Sequence, residues 1–119
     1  MLPNAVPKIL LIEDDADIRE GLSDILTISG YDVVAAANGR EGLALARQVR
    51  PDLVLCDIMM PVMDGYQVLE RLRQDGELLL TPVIFLTALA SPKRQRHGMS
   101  LGADDYLTKP ISQDDLLRA

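Results

Sequence analysis

The chain has 119 residues, 48% hydrophobic and 25% charged, which suits one compact domain and leaves no room for a second. Its formal net charge of -6 argues against non-specific binding to nucleic acid or an anionic membrane by this domain itself. Cys56 is the only cysteine, which excludes an internal disulfide, and no stretch approaches the roughly 18 apolar residues of a membrane-spanning helix.

The start, MLPNAVPK, lacks the basic-then-apolar order of a signal peptide. With a lone cysteine suited to a reducing compartment, a cytoplasmic location is expected. Aromatics are scarce (Tyr31, Tyr66, Tyr106 and Phe85, with no Trp), so the core must be aliphatic.

Short apolar runs alternate with helical patterns. Ile9 to Ile12 is the first run, Val33 to Ala37 the second, Leu53 to Cys56 the third and Val83 to Leu86 the fourth. Tyr106-Leu107 sits in a short fifth. Continuous aliphatic runs of this length predict strands covered on both faces, hence a parallel sheet.

The intervening segments read as helices. In the first, Ile18, Leu22, Ile25 and Leu26 share one face, and Gly30 offers the stop. Asn38 and Glu41 have capping-box spacing before the second helix, which Pro51 closes after Val49. Asp64 and Gln67 repeat that logic before Val68, Leu69 and Leu72. Ser91-Pro92 opens a fourth helix reaching Leu101, with Gly102 past its end. Its Lys93, Arg94, Gln95, Arg96 and His97 leave almost no apolar stripe, so loose packing is expected there. Ser112 and Asp115 start a fifth helix, about two turns before Ala119. The order is (βα)5, an α/β fold with right-handed crossovers and helices on both sheet faces.

In such a sheet, functional groups collect outside the carboxyl ends of the strands. Glu13, Asp14 and Asp15 follow the first run, Asp57 the third, Thr87 the fourth, and Thr108, Lys109 and Pro110 the fifth. Glu13, Asp14 and Asp57 crowded together are unfavourable unless a cation sits among them or some stay protonated. Oxygen-only donors favour a hard ion, and Mg²⁺ fits best because it keeps several waters. Mg²⁺, an ammonium and a hydroxyl around one carboxylate suit phosphoryl transfer, in which that carboxylate can be the nucleophile.

The stretches ILLIEDDADIR (9–19), PDLVLCDIMMPVMDGYQVLERLR (51–73), TPVIFLTALA (81–90) and GADDYLTKPIS (102–112) resemble the receiver domain of two-component response regulators. They stand in family order and cover essentially the whole chain. The resemblance implies a flavodoxin-like (βα)5 three-layer sandwich with a five-stranded parallel sheet of order 2-1-3-4-5. It implies a single receiver domain over residues 1–119, with a fifth helix shorter than the family's usual one. Asp57 would be the phosphoacceptor. Glu13, Asp14, Asp57 and the Met59 backbone carbonyl would hold Mg²⁺, with Mn²⁺ as an alternative. Thr87 and Lys109 would contact the phosphoryl group, Thr87 and Tyr106 would form the switch, and the Lys109–Pro110 bond would be cis. The implied partner is a histidine kinase or a histidine phosphotransfer protein presenting phosphohistidine. The implied role is a switch that catalyses its own phosphorylation and dephosphorylation, not metabolic turnover, with no direct nucleic-acid or membrane contact.

Plainer readings weigh against several of these residues. Asp57 could merely form a turn, but the other groups stand where its chemistry needs them. Asp15 reads as the cap of the first helix rather than a further ligand. Tyr106 could be a plain edge aromatic, and Thr108 reads as an ordinary strand-end residue. Cys56 reads as core and not as a redox sensor. His97 reads as part of a solvated basic face. Met59, Met60 and Met63 read as loop packing, since Mg²⁺ avoids sulfur.

Two positions depart from what the family uses to steer attacking water. They are Met59 and Leu89, both apolar, and they predict slow self-dephosphorylation. The basic fourth helix, in an acidic domain, is either a solvated face or part of a surface formed with the fifth strand and fifth helix (α4-β5-α5). Phosphorylation would then switch that surface toward a partner or a second copy. A pseudo-receiver that never takes phosphate is the alternative, disfavoured because Glu13, Asp14, Asp57, Thr87 and Lys109 are all present. A phosphohydrolase would need a second acid where Met59 stands. A dinucleotide-binding turn is excluded, because EDDADIRE is acidic where glycines are required.

Overall fold

The computed structural model describes residues 6–87 and 105–108. The strands are β1 (Lys8–Ile12), β2 (Asp32–Ala36), β3 (Leu53–Asp57), β4 (Val83–Thr87) and β5 (Asp105–Thr108). The described helices are α1 (Ala16–Ile28), α2 (Gly39–Val49) and α3 (Gly65–Gln74). All strand pairs are parallel, as the apolar runs predict, and their order β2-β1-β3-β4-β5 is the one the resemblance implies. The predicted fourth and fifth helices lie outside the described residues.

The apolar runs fall in the interiors of these strands, apart from Ala37, which lies just past β2, and polar residues extend them. Lys8 and Asp32 open β1 and β2, while Asp57 and Thr87 end β3 and β4 instead of following them. Hydropathy marks burial, whereas a ladder continues wherever backbone groups find partners. The centre of the sheet is buried on both faces, as continuous runs require. On one face Leu10, Ile12, Val54, Cys56 and Phe85 pack with Leu43, Val68, Leu69 and Leu72 from α2 and α3. On the other, Ile9, Leu11, Leu55, Ile84 and Leu86 pack with Leu22 and Leu26 of α1. The edge strand β2 is only partly buried.

Side-chain caps fix where the helices begin. Asp15 caps α1, accepting from the backbone N–H groups of Asp17 and Ile18. Asn38 caps α2 by accepting from the Glu41 N–H at 2.8 Å. Glu41 reaches back to the N–H of Ala37, one residue before the cap, so the expected capping box is displaced by one position. Asp64 and Gln67 form the full reciprocal box on α3. At the far ends, Gly30 takes φ 99° after α1, and Arg50 takes the left-handed conformation ahead of Pro51.

Candidate functional site

The strand register brings the predicted groups to one edge. Ile12 lies between Ala36 and Cys56, Asp57 lies beside Leu86, and Thr87 lies beside Thr108. Glu13 follows β1 directly and is wholly buried, Asp57 ends β3 at 4% exposure, and Asp14 is exposed. One carboxylate oxygen from each lies within 4.8 Å of the other two.

Backbone bonds hold these residues from both sides. The Glu13 N–H donates to the Ala36 carbonyl at 3.1 Å, and the Ile58 N–H donates to the Leu86 carbonyl at 3.2 Å. Neighbouring strands therefore clamp Glu13 and the residue after Asp57. Glu13 Oε1 accepts from the Asp15 N–H at 3.3 Å. The Arg19 guanidinium, from the second turn of α1, donates Nη1–H to the Glu13 main-chain carbonyl at 2.9 Å. On the other side of Asp57, the Gly65 N–H donates to the Ile58 carbonyl at 2.9 Å, docking α3 against the end of β3.

The three carboxylates fit a hard divalent cation. Oxygens sharing an octahedral Mg²⁺ at about 2.1 Å stand about 3–4 Å apart, so small side-chain rotations would close this set on one ion. All the donors are oxygen, the chemistry Mg²⁺ and Mn²⁺ accept. Two of the three are buried acids, and a cation offsets their mutual repulsion.

Cys56 lies beneath this site and takes no part in the oxygen set. Its thiol faces the Asp57 carbonyl at 3.2 Å. Burial first, then the charges of Asp57, Glu13 and Asp64, push its pKa well above the ordinary thiol range. It stays a protonated core thiol, as the sequence suggests.

The loop between β3 and α3 carries Met59, whose side chain is 56% exposed, while Met60 is buried and Met63 packs on the core. Thr87 and Tyr106 hold register positions in β4 and β5, with Tyr106 level with Phe85. Lys109, Pro110 and Leu89 lie outside the described residues.

Arg19 and Val62 are features of this edge that sequence reasoning did not single out. Gly65, with Pro61, falls in the loop that the resemblance places ahead of the third helix.

A five-stranded parallel sheet with an acid trio at its carboxyl edge defines an α/β module with a candidate cation site. The response regulator receiver domain family model matches residues 9–119. Among curated proteins, the DNA-binding dual master transcriptional regulator RpaA of Synechocystis is 45% identical over 112 residues. That alignment takes in 94% of this chain and 46% of the regulator. The response regulator MprA of Mycolicibacterium vanbaalenii is 44% identical over 92% of this chain and 47% of its own length. The chain thus spans less than half the length of these relatives.

Among solved structures, chemotaxis protein CheY4 of Vibrio cholerae superposes with TM-score 0.93 at 37% identity, covering 96% of this chain and 95% of that one. The receiver domain of a Pseudomonas aeruginosa sensor histidine kinase, with a magnesium ion coordinated in its active site cleft, gives 0.88 at 32% identity. That match covers 96% of this chain and 93% of the other. The chain belongs to the response regulator receiver domain family. It is a signalling module of two-component systems and not a metabolic enzyme. None of the described helices is long and apolar enough to cross a membrane.

Proposed function

We propose that residues 1–119 act as one receiver domain that takes a phosphoryl group on Asp57 from a partner phosphohistidine and changes its α4-β5-α5 face in response. The observation that carries this reading is the convergence of Glu13, Asp14 and Asp57 within 4.8 Å at the carboxyl edge of the sheet. The donor is a histidine kinase or a histidine phosphotransfer protein.

In the reaction, an Asp57 carboxylate oxygen forms a bond to phosphorus as the phosphorus–nitrogen bond to the imidazole breaks. The bonding pair leaves with the imidazole, which is then reprotonated. Glu13, Asp14, Asp57 and the Met59 carbonyl would hold Mg²⁺. When bound, that ion supplies charge neutralisation for the phosphoryl oxygens. The strand ladder holds Asp57 in place, so little reorganisation is needed as it attacks. Lys109 pairs with the phosphoryl charge and Thr87 donates a hydroxyl hydrogen bond to it. Tyr106 follows Thr87 inward, and the face formed by the fourth helix, β5 and the fifth helix rearranges. A second copy or a separate output domain would read that face, since RpaA is a DNA-binding regulator and this acidic chain is suited to neither DNA nor membrane.

Incubation with acetyl phosphate and MgCl₂ followed by mass spectrometry tests the reading. Wild type should gain one phosphoryl mass and Asp57→Asn none. Equal gain in both, or none in either, would end it. Apolar Met59 and Leu89 cannot orient water, so the adduct should persist, and a time course should show faster decay in Met59→Asn. Equal decay would remove Met59 from that role.

A further inference from the structure

Arg19 stands in an acidic stretch, with Glu13, Asp14, Asp15, Asp17 and Glu20 around it in sequence. A guanidinium in such surroundings would be expected to settle on a carboxylate. It does not. Among the described residues Arg19 makes no ion pair, and its Nη1–H is spent on the neutral main-chain carbonyl of Glu13 at 2.9 Å.

That bond completes a closed turn. The Asp15 N–H donates to Glu13 Oε1 at 3.3 Å. Asp15 Oδ1 accepts from the N–H groups of Asp17 and Ile18 at 2.9 and 3.1 Å. The Asp15 carbonyl accepts from the Arg19 N–H at 2.9 Å. Arg19 then returns to the Glu13 carbonyl, so residues 13–19 are tied at both ends of the β1–α1 connection. Asp14 lies inside this ring of bonds. It is the exposed member of the acid trio, the one without burial to hold it.

We propose that Arg19 is a positioning residue for the cation site. By anchoring the Glu13 carbonyl to α1, it fixes the turn so that Glu13 and Asp14 present their oxygens to the ion that Asp57 also binds. The proposal rests on the reading of the trio as a Mg²⁺ site. Partners one shell beyond metal ligands set ligand orientation, and their loss commonly weakens binding tenfold or more. Charge alone acts in the opposite sense: removing a cation beside the trio should tighten Mg²⁺ binding. The two accounts therefore predict opposite changes.

The test is titration of metal-free protein with MgCl₂, followed by calorimetry and by backbone amide NMR shifts. Wild type, Arg19→Met, Arg19→Ala and Arg19→Lys are compared. Arg19→Met and Arg19→Ala should each bind Mg²⁺ about tenfold more weakly, with metal-free amide spectra unchanged outside the turn. Arg19→Lys, which keeps the charge and N–H donors without the planar fork, should recover part of the loss. Ala favours the helix, so it serves if the Met variant folds poorly. Unchanged or tighter binding in the neutral variants overturns the proposal. So does a loss seen only as a lower metal-free melting temperature, because that marks plain structural support. If wild type itself binds no Mg²⁺, the reading of the trio falls and takes the proposal with it. Normal wild-type binding with unaffected variants removes Arg19 alone.

Discussion

Val62 is strained and exposed at once. Its φ is 71°, and the Met63 N–H donates to the Pro61 carbonyl across it at 2.8 Å. That is the rare, strained hand of the γ-turn, in which a β-branched side chain is especially ill placed. The side chain is 86% exposed, so packing offsets little of the strain. Replacing it with glycine removes the clash between Cβ and backbone but loosens the unfolded chain. Strain of about 1–3 kcal/mol outweighs an entropy penalty of about 0.4–1 kcal/mol. Val62→Gly should therefore be about 1 kcal/mol more stable in denaturant unfolding at constant m-value. A midpoint at or below wild type would show that the turn is not strained. Val62 was illegible in the sequence, because valine is the last residue a positive φ would be assigned to.

At the scale of elements, the site depends on how closely α3 approaches the end of β3. A Cβ built on Gly65 would lie 2.5 Å from the Asp57 main-chain oxygen and 2.9 Å from the Ile58 Cα. Both are backbone atoms, and they cannot move without moving Asp57. Gly65→Ala should cost about 1–3 kcal/mol of stability by overpacking. It should also slow acetyl phosphate labelling of the fraction that remains folded, because Asp57 shifts with its carbonyl. Labelling at the wild-type rate in folded protein would mean the strand end yields without displacing the carboxylate. The elements themselves were largely legible. Continuous runs such as LLI and VLC gave buried parallel strands because both sheet faces are covered, and Asp64 with Gln67 announced α3 through a box that forms fully. Strand ends were read one residue short at Asp57 and Thr87, since a ladder continues through polar residues that hydropathy ignores. Glu41 bonds Ala37 instead of the cap because backbone geometry chooses among neighbouring N–H groups that sequence spacing cannot separate. Asp15 as the cap of α1 followed from residue type and position alone. The anchoring of the Glu13 carbonyl by Arg19 joins a side chain to a backbone atom six residues away, and no pattern of residue types encodes that.

At the scale of the molecule, the acid trio couples the site to the stability of the whole fold. Glu13 and Asp14 come from the end of β1 and Asp57 from the end of β3, so only the assembled sheet brings them together. Their repulsion belongs to the folded state, and the unfolded chain relieves it by separating them. Two consequences follow from the same geometry. A Mg²⁺ ion held by the trio would bind the folded chain far better than the unfolded one, so at about 100 times its Kd it should add about 2.7 kcal/mol to stability. For a domain of this size that raises the melting temperature by roughly 10 °C. Asp14→Asn removes one charge from the trio at a position that is exposed and so sacrifices little packing. In EDTA it should melt above wild type, and in MgCl₂ it should gain little, so the order of the two proteins reverses between the buffers. Calorimetric melts of both proteins in both buffers decide the matter. If Asp14→Asn melts below wild type without metal, the carboxylate contributes a stabilising bond, and repulsion is not what the cation relieves. If wild type ignores Mg²⁺ altogether, the three oxygens are close by accident of topology and the edge is not a cation site.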